Sequence, residues 1–311
     1  MLTLDSVSPP IQPATRRVPT AGALLELLKP VTWFPPMWAF SCGVVSSGVP
    51  MTAELWWKFA LGIALTGPVT CASSQAVNDW FDRHVDAINE PQRPIPSGRM
   101  PGKWGLVVAL AWSALALAIG ALFGPVGLTA TAVAVAFSWA YSAPPFRLKA
   151  NGWFGNAAVG ITYEGLAWIT GAVIMLGGAV PRWEILLLAV LYSAGAHGIM
   201  TLNDFKAIEG DRQMGVRSLP VQLGAERAAK LAGAVIVAPQ VVVVALLVAW
   251  GKPWHALVVG ALIAQQLRML PVFYREPVAK AFWYSGVGVP FSVLGMMVCA
   301  HAVRGLGGIA G

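Results

Sequence analysis

Long apolar runs alternate with short polar stretches along the whole chain. Nine of them reach, or nearly reach, the ~20 residues a helix needs to cross a bilayer. They cover roughly 31–49, 56–77, 104–123, 126–143, 156–178, 183–201, 228–250, 254–273 and 282–302. Each run is continuously apolar rather than alternating in twos, which predicts helices and argues against the strands of a membrane barrel. The expected fold is all-α: a membrane protein built as a bundle of nine transmembrane helices. Alternate loops are only a few residues long, so consecutive helices are expected as antiparallel neighbours, and no linker separates two globular units. The chain divides into a polar, Pro-rich N-terminal segment at 1–29, a helical domain at 30–305 and a short tail at 306–311. The first segment lacks an apolar core ending in a small-residue cleavage site, so no secretory signal peptide is expected.

Composition sharpens this picture. The 311 residues are 57% hydrophobic and 11% charged, with mean hydropathy +0.65, against about 25% charged residues in soluble domains. The net charge of +7 would suit nucleic acid, but the bases are distributed as membrane loops distribute them. Arg16, Arg17 and Lys29 precede the first run; Arg83, Arg93, Arg99 and Lys103 follow the second; Arg147 and Lys149 follow the fourth. Lys206, Arg212, Arg217, Arg227 and Lys230 follow the sixth, and Arg268, Arg275 and Lys280 lie around the junction of the eighth and ninth. The opposite connections hold Lys58, Arg182, Lys252 and Arg304, so the count is seventeen against four. The positive-inside rule then places the N-terminus in the cytoplasm and the C-terminus across the membrane. Cys42, Cys71 and Cys299 fall in no paired spacing, so they are expected as core thiols rather than a disulfide frame or zinc site.

Acidic residues are concentrated where the apolar runs end on the basic side. Asn78-Asp79-Trp80-Phe81-Asp82-Arg83-His84-Val85-Asp86 closes the second run, and Asn203-Asp204-Phe205-Lys206-Ala207-Ile208-Glu209-Gly210-Asp211 closes the sixth. Both hold an Asn-Asp pair with an Asp seven positions beyond the first Asp. Seven helical steps of about 100° return nearly to the same face, so each cluster should point one way. Together they hold six of the chain's fourteen acidic residues. Pro68, Pro144, Pro145 and Pro290 lie within or at the ends of apolar runs, where they kink or stop helices. Gly67, Ala72, Ser73 and Ser74, just before the first cluster, permit close helix packing.

Carboxylates at a membrane edge need a cation. Mg²⁺ prefers hard oxygen ligands and binds through a few carboxylates plus substrate phosphates, so two facing acid clusters suit a Mg²⁺-bound diphosphate. Arg83, Arg93, Arg99, Lys206, Arg212 and Arg217 could cover the remaining phosphate oxygens. A site opening into a membrane bundle calls for a greasy substrate, and an isoprenoid diphosphate fits. Aromatic residues near the clusters, among them Trp80, Trp139, Tyr141 and Tyr163, could shield an allylic cation. Loop-end salt bridges, and a secondary transporter using the acids as an ion path, are the competing readings.

Asn78-Asp79-x-x-Asp82-x-x-x-Asp86 and Asp204-x-x-x-x-Glu209-Gly210-Asp211 resemble the two aspartate motifs of the UbiA-type intramembrane prenyltransferases, over essentially residues 25–305. The stretches Asp82 to Arg99 and Tyr141 to Lys149 resemble the chlorophyll synthase branch, and Cys71 to Trp80 leans toward its bacteriochlorophyll-forming members. The resemblance implies nine helices around a central cavity that opens near the cytoplasmic side of a bacterial inner membrane. It implies esterification of a bacteriochlorophyllide propionate by geranylgeranyl or phytyl diphosphate with Mg²⁺. A quinone-precursor prenyltransferase is the alternative within the same family. Membrane lipid is an expected partner, and pigment-pathway proteins or a second copy of the chain are further candidates; nucleic acid is not expected.

By the same resemblance Asn78, Asp82 and Asp86 would hold one Mg²⁺, supported by Asp79, and Asp211 with Asp204 a second. Ala207 stands where the family's second motif more usually has an aspartate, so Asp204 or Glu209 is expected to substitute. Arg83, Arg93, Arg99, Arg147, Lys149 and Lys206 are the diphosphate candidates. Tyr141, with Lys149 beyond it, resembles a family tyrosine-lysine pair at longer spacing. His84 and His197 are candidates for axial contact with the pigment's metal. Glu164, inside the fifth run, is a candidate for orienting the acceptor.

Overall fold

The computed structural model describes residues 18–306. Arg16 and Arg17 lie outside the described residues, as does the tail beyond Leu306. In chain order the helices are α1 (Ala21–Leu28), α2 (Phe34–Ser46), α3 (Ala53–Ala64), α4 (Ala72–Asn89), α5 (Trp104–Ala121) and α6 (Gly124–Ser142). There follow α7 (Gly152–Val159), α8 (Ala167–Met175), α9 (Trp183–Asp204), α10 (Ile208–Gln213), α11 (Leu219–Leu223), α12 (Ala225–Ala249), α13 (Pro253–Arg275), α14 (Pro277–Val287) and α15 (Val289–Arg304). An isolated bridge pairs Asn151 with Arg217.

Among the described residues, six helical segments are long and apolar enough to cross a bilayer: Trp104–Ala121, Gly152–Met175, Trp183–Gln213, Ala225–Ala249, Pro253–Arg275 and Pro277–Arg304. The chain is therefore an all-α integral membrane protein. The other three expected runs are helical too, but differ from a plain apolar span for visible reasons. α2 is 13 residues long. α3 continues through Leu65–Cys71 into α4, which ends in the first acid cluster. α6 carries Pro125 near its start and Thr129, Thr131, Ser138 and Ser142 along its length.

Two segments are wound as π-helix, Leu65–Cys71 and Gly160–Leu166. Pro68 accounts for the first, because it has no N–H to give to the helical ladder. Its carbonyl accepts a bond from Trp112 Nε1 at 3.2 Å. The second carries Gly160 and Gly165, both pressed against α9, where a Cβ on Gly160 would stand 2.5 Å from Ser193 O. Each extra residue in a turn rotates the following face, which sets the direction of the polar side chains beyond.

Small residues bring helix backbones into contact, as they do wherever lipid rather than water surrounds a bundle. A Cβ on Gly43 of α2 would stand 1.9 Å from Trp168 O on α8, and one on Gly171 would stand 2.2 Å from Phe40 O. At this crossing Trp168 is fully buried, donates to Ser46 Oγ at 3.1 Å and stacks on Tyr192 of α9 at 5.7 Å. Between α12 and α13 the buried amides of Gln240 and Gln266 bond each other reciprocally at 3.0 and 3.1 Å, which satisfies groups that hydrocarbon would leave orphaned.

α1 was not among the expected helices, being too short to show a period. Thr20 Oγ1 caps it by accepting from Ala23 N at 3.2 Å. Its buried Ala23, Leu27 and Leu28 pack with Ala72, Ala76 and Val77 of α4, so α1 is docked against the helix that carries the first acid cluster.

Gly43→Val should lower the thermal midpoint of the detergent-solubilised protein, at the about 1–3 kcal/mol typical of overpacking or more. Gly260→Ala, whose new Cβ meets nothing within 4 Å, should leave it unchanged or slightly higher. Monodisperse protein remaining after a heat step, read by size-exclusion chromatography, checks both.

Candidate active site

On α4, Asp79 and Asp86 are buried at 2% and 6% exposure and share a face, as the seven-residue spacing requires. One guanidinium spans them: Arg93 Nη1 lies 2.9 Å from Asp86 Oδ2 and 3.4 Å from Asp79 Oδ1, and Nη2 pairs with Glu90. Lys29 reaches Asp79 Oδ1 at 2.6 Å from the end of α1. Lys149 reaches Asp82 Oδ2 at 2.5 Å, with Arg147 Nη2 3.9 Å from Oδ1 of the same carboxylate. Every aspartate of the first cluster is thus matched by a base from a different part of the chain. Burial pushes the Asp86 carboxyl up to about 6, against the opposing pull of Arg93, and it pushes the Lys149 ammonium down, with Asp82 opposing.

Lys29 and Arg147 are the two non-glycine residues with positive φ among the described residues, at 47° and 39°. That region costs a residue with a Cβ of the order of 1–3 kcal/mol, and such strain gathers at functional sites. Both of these strained residues are bases aimed at the first acid cluster.

The second cluster is built differently. Asp204 ends α9, a 3₁₀ turn covers Phe205–Ala207, and Asp211 sits on α10. The tighter turn advances further per residue than an α-helix, so the shared-face argument that holds on α4 holds less well here. Asn156 on α7 donates to Asp204 Oδ2 at 3.3 Å and to Thr201 Oγ1 at 3.2 Å. No described base forms an ion pair with Asp204 or Asp211.

Three features bring the clusters together. Tyr141, at the end of α6, lies within electrostatic range of Asp82, Asp204 and Asp211. Asn89 Nδ2 at the end of α4 is 3.7 Å from Met214 Sδ beyond α10. The backbone pairs Gly152 N to Arg217 O at 2.8 Å and Arg217 N to Ala150 O at 2.9 Å, which fastens the loop carrying Lys149 to the loop after the second cluster. Below them lies a mostly apolar cavity of about 800 Å³, lined by Asn78 and Asn203 from the two motifs, by Tyr141 and by Glu164.

Other candidates are placed elsewhere. Arg99 bonds Glu26 of α1 through both guanidinium ends at 2.5 and 2.9 Å. Arg83 lies 4.2 Å over the Trp80 ring and donates to Trp80 O at 2.6 Å. Glu209 is exposed and bonds Arg212 and Gln213 of its own helix; Lys206 is exposed. His84 is exposed, His197 packs beside Trp153 at 5.8 Å, and neither lines the cavity. Lys29 and Asn156 are the polar partners that sequence reasoning did not single out. Neither belongs to a motif, and no spacing links either to its aspartate.

The oxygen donors have the chemistry Mg²⁺ prefers. Asp79 also keeps a buried Oδ2 with no hydrogen-bond partner. Among the described residues no three His, Cys, Asp or Glu side chains are arranged as a ready metal cage. Mg²⁺ does not demand one, since it fills its octahedron with waters and substrate phosphates. The residues therefore fit the ion in company with an anionic substrate.

One acid cluster closed by bases, a second without them and an apolar cavity that reaches both motifs make up the candidate site, and similarity to known proteins defines its class: the chain is a prenyltransferase. Residues 32–286 match the UbiA prenyltransferase family, and the chain belongs to that family. It is 56% identical over 94% of its length to the bacteriochlorophyll synthase 33 kDa chain of Cereibacter sphaeroides, covering 96% of that protein. With the 33 kDa chain of Rhodobacter capsulatus it shares 53% identity, covering 95% of this chain and 97% of the relative. Its fold matches a UbiA homologue from Archaeoglobus fulgidus bound to DMAPP and Mg²⁺, with a TM-score of 0.61 at 20% identity over 91% of this chain and 99% of that one.

Lys29→Met should lower the thermal midpoint, because it leaves buried Asp79 short of a cation; the loss should stay below the about 3–5 kcal/mol of a fully buried pair. Adding Asp79→Asn should recover part of it. A double-mutant cycle on thermal denaturation should show a coupling of the order of 1 kcal/mol or more.

Proposed function

We propose that this prenyltransferase esterifies a bacteriochlorophyllide. The acceptor's propionate oxygen forms a bond to C1 of geranylgeranyl or phytyl diphosphate, the C1–oxygen bond to diphosphate breaks, and diphosphate leaves with the bonding pair. The observation that carries this reading is 56% identity to a bacteriochlorophyll synthase chain over 94% of this chain. The site agrees with it. A propionate is already ionised near neutral pH, so no strong general base is needed, and the acid clusters need not supply one.

Mg²⁺, when bound, would offset the negative charge that grows on the departing diphosphate. We assign Asn78, Asp82 and Asp86 to one ion and Asp204 with Asp211 to the other. Asp79, tied to Lys29 and Arg93, supports the first set. Arg93, Arg147 and Lys149 are the bases for the phosphate oxygens, since they already stand on the carboxylates in question. Asn78 and Asn203 mark the end of the cavity next to the reacting carbon, and its apolar walls exclude water from an allylic cation.

The same reading makes all nine expected runs membrane segments around that cavity. The excess of bases on one side, seventeen against four, supports a cytoplasmic N-terminus and a C-terminus across the inner membrane.

Membranes containing the chain, given geranylgeranyl diphosphate, Mg²⁺ and a bacteriochlorophyllide, should yield the pigment ester by mass spectrometry together with free diphosphate. Prenylation of an aromatic acid instead would overturn the acceptor assignment. Asp82→Ala and Asp86→Ala should each lower turnover by about 10²-fold or more while leaving membrane insertion intact; normal turnover in both would remove them from the ion-binding role.

Acidity should act through the buried carboxylates assigned to the ions, Asp86 among them. Its pKa of about 6 lies above the ordinary carboxylate value, so below pH 6 the proton competes with Mg²⁺. The Mg²⁺ concentration for half-maximal activity should therefore rise as pH falls through about 6 and level off above 7. A half-maximal concentration independent of pH between 5 and 7 would contradict this.

A further inference from the structure

Glu164 sits in the π-wound segment Gly160–Leu166 of a helix that crosses the membrane. It is 9% exposed, it lines the 800 Å³ cavity, and its Oε2 is buried without a hydrogen-bond partner. No described base forms an ion pair with it. The buried Cys42 thiol lies within electrostatic range of it, and the Oη of Tyr163, next to it in sequence, bonds Cys71 Sγ and Gln75 Nε2, each at 3.3 Å. Cys71 belongs to the other π segment, so the two irregular turns meet through this contact, leaving Glu164 with free bonding capacity at the cavity wall. π-Helical turns recur at functional sites, and a buried polar group left unsatisfied costs about 1–3 kcal/mol.

A prenyl chain offers such a group nothing. Beyond its diphosphate it carries no polar atom, and the diphosphate belongs with the acid clusters. Asn156, bonded to Asp204, and Glu164 are eight positions apart on one helical segment, about 12 Å along its axis at 1.5 Å per residue. Glu164 therefore stands well inside the cavity from the reaction point, where the far edge of a large flat acceptor would lie.

We propose that Glu164 is the positioning residue for the acceptor, donating a hydrogen bond from its carboxyl to a carbonyl on the edge of the tetrapyrrole remote from the reacting propionate. A carboxyl with no base in reach serves such a carbonyl as the neutral acid, because an unpaired buried carboxylate is far costlier. A site built to bond a carbonyl rejects an acceptor that lacks it more strongly than apolar fit alone can. This inference rests on the acceptor class proposed above.

Wild type, Glu164→Gln and Glu164→Leu, purified in nanodiscs, should be compared with bacteriochlorophyllide and with the same acceptor whose ketone carbonyl on that remote edge has been reduced to an alcohol, an acceptor for which wild type and Glu164→Leu should no longer differ in KM. Glu164→Leu should raise KM for bacteriochlorophyllide about tenfold or more, a loss of about 1.4 kcal/mol. KM for geranylgeranyl diphosphate should stay unchanged, and the thermal midpoint should hold or rise as the unsatisfied group is removed. Glu164→Gln, which keeps a donor, should stay within about threefold of wild type. The ketone stretching frequency of bound acceptor, read by resonance Raman, should be lowered in wild type and Glu164→Gln but not in Glu164→Leu. An unchanged acceptor KM and ketone frequency in Glu164→Leu would overturn the inference while leaving the proposed reaction standing. Wild type that forms no ester from any tetrapyrrole would overturn both.

Discussion

Buried negative charge at the edge of an apolar bundle has to be met by positive charge, and the arrangement of this molecule follows from how that is done. Asp79, Asp82 and Asp86 lie along one helix, but the bases that meet them come from three separate places: Lys29 after α1, Arg93 in the loop after α4, and Lys149 with Arg147 before α7. Each ion pair therefore also fixes a loop. The end of α1, the loop after α4 and the loop before α7 converge on one patch because unpaired carboxylates there would cost several kcal/mol each. Left-handed backbone occurs at Lys29 and Arg147, each on a segment that brings a base to these carboxylates, and such strain gathers at functional sites.

The apolar part of the bundle follows a different constraint. Without water to drive association, helices gain mainly by approaching closely, and the Gly43 and Gly171 contacts between α2 and α8 are the result. Such packing fills the side of the molecule around Trp168 and Tyr192. The cavity lies elsewhere, lined by side chains of α2, α4, α6, α7, α9, α15 and the second π segment. Rigid packing beside an open volume gives a greasy chain a place to lie without forcing the bundle apart.

Much of this is legible in the sequence because it rests on period and repetition. Continuous apolar runs give helices, and the repeated Asn-Asp with a second Asp seven residues on gives two acid clusters at matching ends. The seven-residue argument holds on α4, where helix is uninterrupted from Ala72 to Asn89. On the second motif it meets a 3₁₀ turn at Phe205–Ala207 that no residue type announces. What spacing does not carry is pairing between distant segments. Arg99 has the same charge and loop as Arg93, yet Arg93 turns to Asp79 and Asp86 while Arg99 turns outward to Glu26. Lys29 lies fifty residues from its partner Asp79, and α1, which delivers it, is only eight residues long. The second π segment, which carries Glu164, contains no proline to mark it.

The two clusters are not equivalent, and the difference bears on the chemistry. In the first, bases stand on all three aspartates, so the charge is already balanced before any substrate arrives. In the second, Asp204 has Asn156 as its side-chain partner, and neither it nor Asp211 has a base in an ion pair among the described residues. A metal-bound diphosphate brings positive charge for the side that lacks it and negative charge for the side that has bases to offer. One substrate complex therefore meets the bases of the first cluster and the unpaired acids of the second at once, which neither a bare cation nor a bare anion does. That complementarity favours an enzyme for a metal-bound diphosphate over an ion path, since a conducted cation would gain nothing from Arg93, Arg147 and Lys149 closing the first cluster.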